Sequence, residues 1–176
     1  MIKRELYMSR IRPFIGGELI KVMTGIRRSG KSVMLDLIKE ELVESGIDSA
    51  QFISINFEDM RYAYLCNAQV LHEEILHRAE TIQGKVYLFF DEIQEVKDWE
   101  KCINSLRVAL DCDIYITGSN AYLLSTEFST LLSGRYVEIR VLPLSFIEFL
   151  DFYEFAPDVT MDEKFQKYLQ FGGMPI

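Results

Sequence analysis

Gly25-Ile26-Arg27-Arg28-Ser29-Gly30-Lys31-Ser32 has the spacing G-x-x-x-x-G-K-[ST], and the segments beside it decide how the whole chain is read. Leu19 to Met23 before it reads as a strand, and Ser32 to Glu44 after it as an amphipathic helix. Between a strand and a helix, the two glycines let the backbone wrap so that successive N–H groups face inward, a concavity built for anions. The helix N-terminus adds its partial positive charge. Lys31 is suited to the β- and γ-phosphates and Ser32 to a Mg²⁺ ion, so the expected anion is a nucleoside triphosphate. Gly25, Arg28, Ser29, Gly30, Lys31, Ser32 and Val33 are the expected nucleotide contacts. Arg27 and Arg28 equally suit exposure to solvent or to a partner subunit.

A triphosphate site needs a second acid for the metal and a group to orient water. Val86-Tyr87-Leu88-Phe89-Phe90-Asp91-Glu92 supplies both, as a buried strand whose two carboxylates emerge at the end where α/β sheets bind ligands. Asp91 is expected to hold Mg²⁺ and Glu92 to polarise the attacking water. A second strand, Asp113 to Thr117, runs into Gly118-Ser119-Asn120. Ser119 or Asn120 would sense the γ-phosphate there, or cap the following helix. Asn120 is placed with the catalytic residues on the first reading. Arg135, at the start of a fifth strand, is the preferred charge-stabilising arginine over Arg140, in cis or toward a neighbouring subunit.

Further strands are predicted over Gln51 to Phe57 and Tyr136 to Leu142. Helices are predicted over residues 3–12, Ala68 to Ile82, Trp99 to Leu110, Ala121 to Leu132, Ser145 to Phe155 and Met161 to Phe171. Five strands separated by helices imply an α/β fold with a mostly parallel sheet.

The chain carries a net charge of −8, yet residues 1–32 hold eight Lys/Arg against two Glu. Lys3, Arg4, Arg10 and Arg12 read as a solvated basic helix, and the acidic remainder argues against general attraction to nucleic acid. No uninterrupted apolar run exceeds five residues, which excludes a membrane-spanning helix. Cys66, Cys102 and Cys112 are widely spaced and read as buried, reduced thiols, which favours a cytoplasmic protein over a disulfide framework or a zinc site. His72 and His77 lie five apart, the wrong spacing for a shared metal on one helix face. No Asp has Gly three positions later and no Asn precedes Lys, so guanine-reading motifs are lacking and adenine is favoured.

These residues together resemble the AAA-type P-loop ATPases of archaea and bacteria in which a C-terminal domain of unknown function follows the ATPase core. The resemblance rests on the loop, on Asn56-Phe57-Glu58-Asp59, on Phe90-Asp91-Glu92-Ile93-Gln94 and on Thr117-Gly118-Ser119-Asn120. It continues through Gly134-Arg135, Leu142-Pro143-Leu144-Ser145 and Gly172-Gly173-Met174-Pro175. It implies a three-layer P-loop NTPase fold with sheet order 5-1-4-3-2, and ATP with Mg²⁺ as cofactors. It also implies a core over residues 1–144 and the start of a helical or winged lid over 145–176, continued by a further domain of the same longer chain. A homo-oligomer and a nucleic-acid partner are left open by it.

Overall fold

The computed structural model describes residues 3–119, 132 and 134–174. Five strands form one sheet: β1 (Ile20–Gly25), β2 (Phe52–Asn56), β3 (Val86–Asp91), β4 (Cys112–Ser119) and β5 (Tyr136–Arg140). Their order is β2-β3-β4-β1-β5, and every neighbouring pair is parallel. This is the expected order. All strand C-termini therefore lie along one edge, and the sheet's wholly buried strands β1 and β3 both deliver their last residues there.

The six helices are α1 (Glu5–Ile11), α2 (Lys31–Glu44), α3 (Ala68–Ala79), α4 (Trp99–Ala109), α5 (Phe146–Phe152) and α6 (Met161–Phe171), counting only the described residues. The helix expected over Ala121 to Leu132 lies outside them, apart from Leu132. Alternation along each strand splits the core in two. Val22, Leu88, Phe90, Ile114 and Ile116 face α3 and α4, whereas Met23, Tyr87, Phe89 and Tyr115 face α1 and α2. The result is three layers, helix–sheet–helix.

Helix starts follow local chemistry. Asn67 caps α3 by accepting from the Gln69 and Val70 amides, and Ser145 and Thr160 each close a reciprocal capping box with Glu148 and Glu163. Past β5, α5 and α6 share a small aromatic cluster of Phe146, Phe149, Phe165 and Tyr168. Gly173 returns to the core: its carbonyl accepts from the Leu144 amide, and a Cβ at 173 would run into the Leu144 backbone.

One expectation needs correction in part. Lys3 and Arg10 are exposed as expected, but Arg4 is only 2% exposed and Arg12 is half-buried, pairing with Glu5 and Glu41. The strand before the loop also carries a buried charge. Lys21 is wholly buried in β1, where Asp113 of β4 pairs with it and accepts from the Tyr115 hydroxyl and the Gly16 amide. Burial pushes the Lys21 pKa below that of an ordinary lysine, although Asp113 opposes the shift. Such a pair is expensive to desolvate, and losing one partner would strand the other.

Of the cysteines, Cys102 is buried, and Cys66 and Cys112 are half-buried; all three are free. Burial pushes the Cys102 thiol up to about 12 and Cys112 up to about 11, which keeps both protonated and unreactive.

Candidate functional site

The loop between β1 and α2 closes tightly at its first residue. A Cβ at position 25 would collide with the Val141 carbonyl oxygen and approach Ser29 Oγ to 2.8 Å, so only glycine fits. Gly30 takes a left-handed backbone (φ 94°, ψ 22°) and serves as N-cap of α2 without any capping side chain. Among the described residues no side chain answers the first amides of this 14-residue helix, which begins at the edge where the strands end. Beside it lies a cleft of about 400 Å³ lined by Arg27, Arg28, Gly30, Lys31, Ser32, Val33, Glu58 and Glu92.

Lys31 is 4% exposed and folds back over its own loop, donating to the carbonyls of Gly25 and Ile26 at 3.3 Å each. Its ammonium also lies 3.4 Å from Glu92 Oε1. Two residues 61 positions apart in sequence, assigned to phosphate and to water, therefore meet at one place. Glu92 adopts a left-handed backbone (φ 55°, ψ 52°), which turns its side chain out of the line of β3. Gln94 Nε2 donates to Glu92 Oε2 at 2.6 Å and holds the carboxylate from the other side.

Asp91 is 6% exposed at the end of β3. Its Oδ1 accepts from the Thr117 hydroxyl of β4, and the same hydroxyl accepts from the Glu92 amide at 2.9 Å. One β4 side chain thus orients both acids. Sequence reasoning passed over Thr117 in favour of Ser119 and Asn120. The missed signal was a threonine late in the strand next to the one carrying the acids, close to the end where both acids emerge. Ser119 is half-buried and in register with Gly25, beside the loop, while Asn120 lies outside the described residues.

The remaining expected residues divide. Arg28 (φ 66°), Ser32 and Val33 are exposed and line the cleft, and Arg27 reaches Glu58 across it at 3.3 Å. The Ser29 side chain is wholly buried, with no hydrogen-bond partner for its hydroxyl oxygen among the described residues, and its amide is used in a turn to Ile26. Arg135 stands at the wrong end of the sheet for a finger in cis. It precedes Tyr136, which registers with Ile20, five residues before Gly25, and its carbonyl accepts from the Ile20 amide. At about 3.3 Å per residue the sheet itself separates it from the cleft. Arg140, exposed and in register with Thr24, is on the correct edge.

Ser32, at the start of α2, and Asp91, at the end of β3, offer a hydroxyl and a carboxylate, the hard oxygen donors that suit Mg²⁺; Ser32 lines the cleft, and Asp91 immediately precedes Glu92, which also lines it. Among the described residues no group of three or more His, Cys, Asp or Glu is placed to hold a metal unaided.

Comparison with known proteins agrees with this geometry. A family model described as an AAA domain matches residues 18–150. An uncharacterized protein of Haemophilus influenzae is 44% identical over 176 residues, covering 99% of this chain and 44% of its own. An uncharacterized protein of Methanocaldococcus jannaschii is 36% identical over 165 residues, covering 89% and 35%. The chain thus spans less than half the length of these curated relatives. Among solved structures, AMPPCP-bound DnaA from Aquifex aeolicus matches with a TM-score of 0.63 at 14% identity, over 97% of this chain and 57% of that one. Aeropyrum pernix ORC1 in complex with DNA gives 0.56 at 15% identity, over 86% and 48%. The S. cerevisiae Hsp104:casein complex gives 0.59 at 15%, over 85% and 28%. At such identities the likeness is one of fold. The family match covers the strand, the loop, both acids and all five strands of the sheet, and on that ground the chain belongs to the AAA domain family.

Proposed function

We propose that this chain is a Mg²⁺-dependent ATPase module that binds ATP in the cleft at the start of α2 and hydrolyses it to move a further domain of a longer protein. The observation that carries this is the meeting of Lys31 and Glu92 at 3.4 Å beside a helix N-terminus that no side chain caps. An ammonium and uncapped amides bind phosphate oxygens, and a carboxylate next to them is placed to accept a proton from water attacking the γ-phosphate. Lys31 would exchange its carbonyl and Glu92 contacts for phosphate, which frees Glu92 to polarise water. Mg²⁺ held by Ser32 and Asp91 would neutralise charge on the phosphates. Thr117 keeps Asp91 and Glu92 aimed throughout. Gly25 and Gly30 shape the cradle; Arg28 and Val33 border it.

Residues 1–144 would be the ATPase core and 145–176 the beginning of a lid, in a cytoplasmic protein. Arg135 would act only across a subunit contact, in the site of a neighbouring copy, which makes a homo-oligomer part of the proposal. In AMPPCP-bound DnaA a chain of similar fold carries a triphosphate analogue, which supports ATP here. No helix among the described residues is long and apolar enough to cross a membrane. A second reading, a nucleotide-gated DNA- or protein-binding module with negligible hydrolysis, would rest on the basic N-terminal segment. Arg4 is buried against Glu148 and withdrawn from such a partner, which counts against it, while Lys3 stays exposed beside Glu44.

The test is a Mg²⁺-ATP and Mg²⁺-GTP titration with turnover measured on the same samples. ATP is expected to bind in preference to GTP. Lys31→Ala should lose binding, and Glu92→Gln should bind ATP while turnover falls by at least about a hundredfold. Binding without turnover in the intact protein would hand the case to the gated-module reading.

A further inference from the structure

Arg4 lies 21 residues before the loop, outside every motif discussed so far, yet it is among the most heavily committed side chains of the protein. Its Nη1 donates to the Ser29 carbonyl at 3.0 Å. Its Nη2 donates to the Leu142 carbonyl at 3.0 Å and reaches that of Pro143 at 3.5 Å. Nε and Nη2 grip the two oxygens of Glu148 at 2.8 and 3.1 Å, and the guanidinium sits 4.5 Å from the centre of the Tyr7 ring. The Tyr7 hydroxyl in turn accepts from the Leu142 amide at 3.0 Å. One buried cation therefore joins three segments: the phosphate loop, the chain leaving β5, and helix α5.

The Ser29 contact bears on the site directly. The peptide between Ser29 and Gly30 is planar and trans, so its N–H points opposite to its C=O. Drawing the carbonyl toward Arg4 turns the Gly30 N–H away from it, and Gly30 is a cleft residue. A charged donor on the carbonyl also polarises the peptide and makes that N–H a better donor to an anion. The Glu148 contact bears on α5. Glu148 is the residue that closes the capping box with Ser145, accepting from its amide at 2.9 Å while holding Arg4. A shift of the loop carbonyl therefore acts, through one rigid guanidinium, on the group that fixes the start of α5.

We propose that Arg4 is a positioning residue of the nucleotide site: it aims the Ser29–Gly30 peptide at the triphosphate and links that peptide, through Glu148, to the seating of helix α5 on the core. The inference rests on the ATP-site reading above. It assigns the N-terminal segment a part in nucleotide binding, and it assigns α5 the part of first recipient of the nucleotide state.

Arginine is needed because its fork serves acceptors on three segments at once; lysine keeps the charge and loses the geometry. The experiment measures binding of Mg²⁺-ATP and of inorganic tripolyphosphate to the intact protein, with hydrogen exchange of amides 146–152 followed with and without ATP. Arg4→Met should weaken ATP about tenfold, and Arg4→Lys several-fold, at temperatures where circular dichroism shows both folded. Lys3→Met, which removes one positive charge from the same segment, should bind ATP as the unaltered protein does. ATP should slow exchange in α5 of the unaltered protein but not of Arg4→Lys or Glu148→Gln. Unchanged affinity in both Arg4 variants, or an α5 response that survives in them, would overturn this inference alone. An unaltered protein that bound neither ATP nor tripolyphosphate would overturn the ATP-site reading, and this inference with it.

Discussion

Thr117 shows how much of the site hangs on single buried atoms. Its hydroxyl donates to Asp91 and accepts from the Glu92 amide, in a place with no exposure to water. Thr117→Val keeps the shape and removes both bonds, leaving the part-buried Glu92 amide and the buried Asp91 carboxylate each short of a partner, at a cost of about 1–3 kcal/mol. The expected result is a lower denaturant midpoint together with reduced turnover, and a smaller change in ATP affinity. The loss lies chiefly in turnover because the acids, rather than the loop, lose their support. Equal losses in affinity and turnover would assign Thr117 to folding alone. Lys21 shows the same economy near the start of the neighbouring strand β1. It sits inside a β-sheet only because Asp113 answers it from the neighbouring strand.

At the scale of elements, most of the architecture is legible in the sequence. The wholly apolar stretch in β3 identifies a central strand, and the helix α6 has the predicted bounds, Met161–Phe171. Ends were read less well, for local reasons. β4 runs through Gly118 and Ser119 because β1 pairs with it to Gly25, which residue preferences do not reveal. Lys21, Arg4 and Thr117 were misjudged or missed because each is polar where its own segment gives no hint of a partner. Their partners lie 92, 144 and 26 residues away. Likewise Arg135 looked well placed until strand direction put it at the far edge. The seating of α5 offers a pH test. Burial pushes the Glu148 carboxyl upward, but hydrogen bonds from Arg4 and from Ser145 outweigh it and leave the pKa below the ordinary glutamate value. A carboxylate depressed in the folded state contributes stability in full above its unfolded pKa and loses it as pH falls through the folded one. Proteolytic cleavage within 146–152 should therefore rise as pH drops below the ordinary glutamate range, and Glu148→Gln should flatten that rise.

At the scale of the whole molecule, the sheet divides two apolar clusters whose strand residues alternate along the same strands. Phe89 is wholly buried and stacks on Tyr115 at 4.9 Å between ring centres, on the face covered by α1 and α2. Phe89→Ala should cost about 3–5 kcal/mol in a denaturant titration, the range for a large cavity in a well-packed core. A much smaller loss would mean that this cluster closes up around the gap. The left-handed backbone at Glu92 carries a different lesson at this scale. Asn or Gly occupies that conformation with less strain, and glutamate there forgoes roughly 1 kcal/mol. A laboratory selection for heat resistance alone should therefore drift away from acid at position 92. Glu92→Asn is expected to melt no lower than the original while turning over no ATP. On the proposed function, durability and work would be in competition at this one peptide.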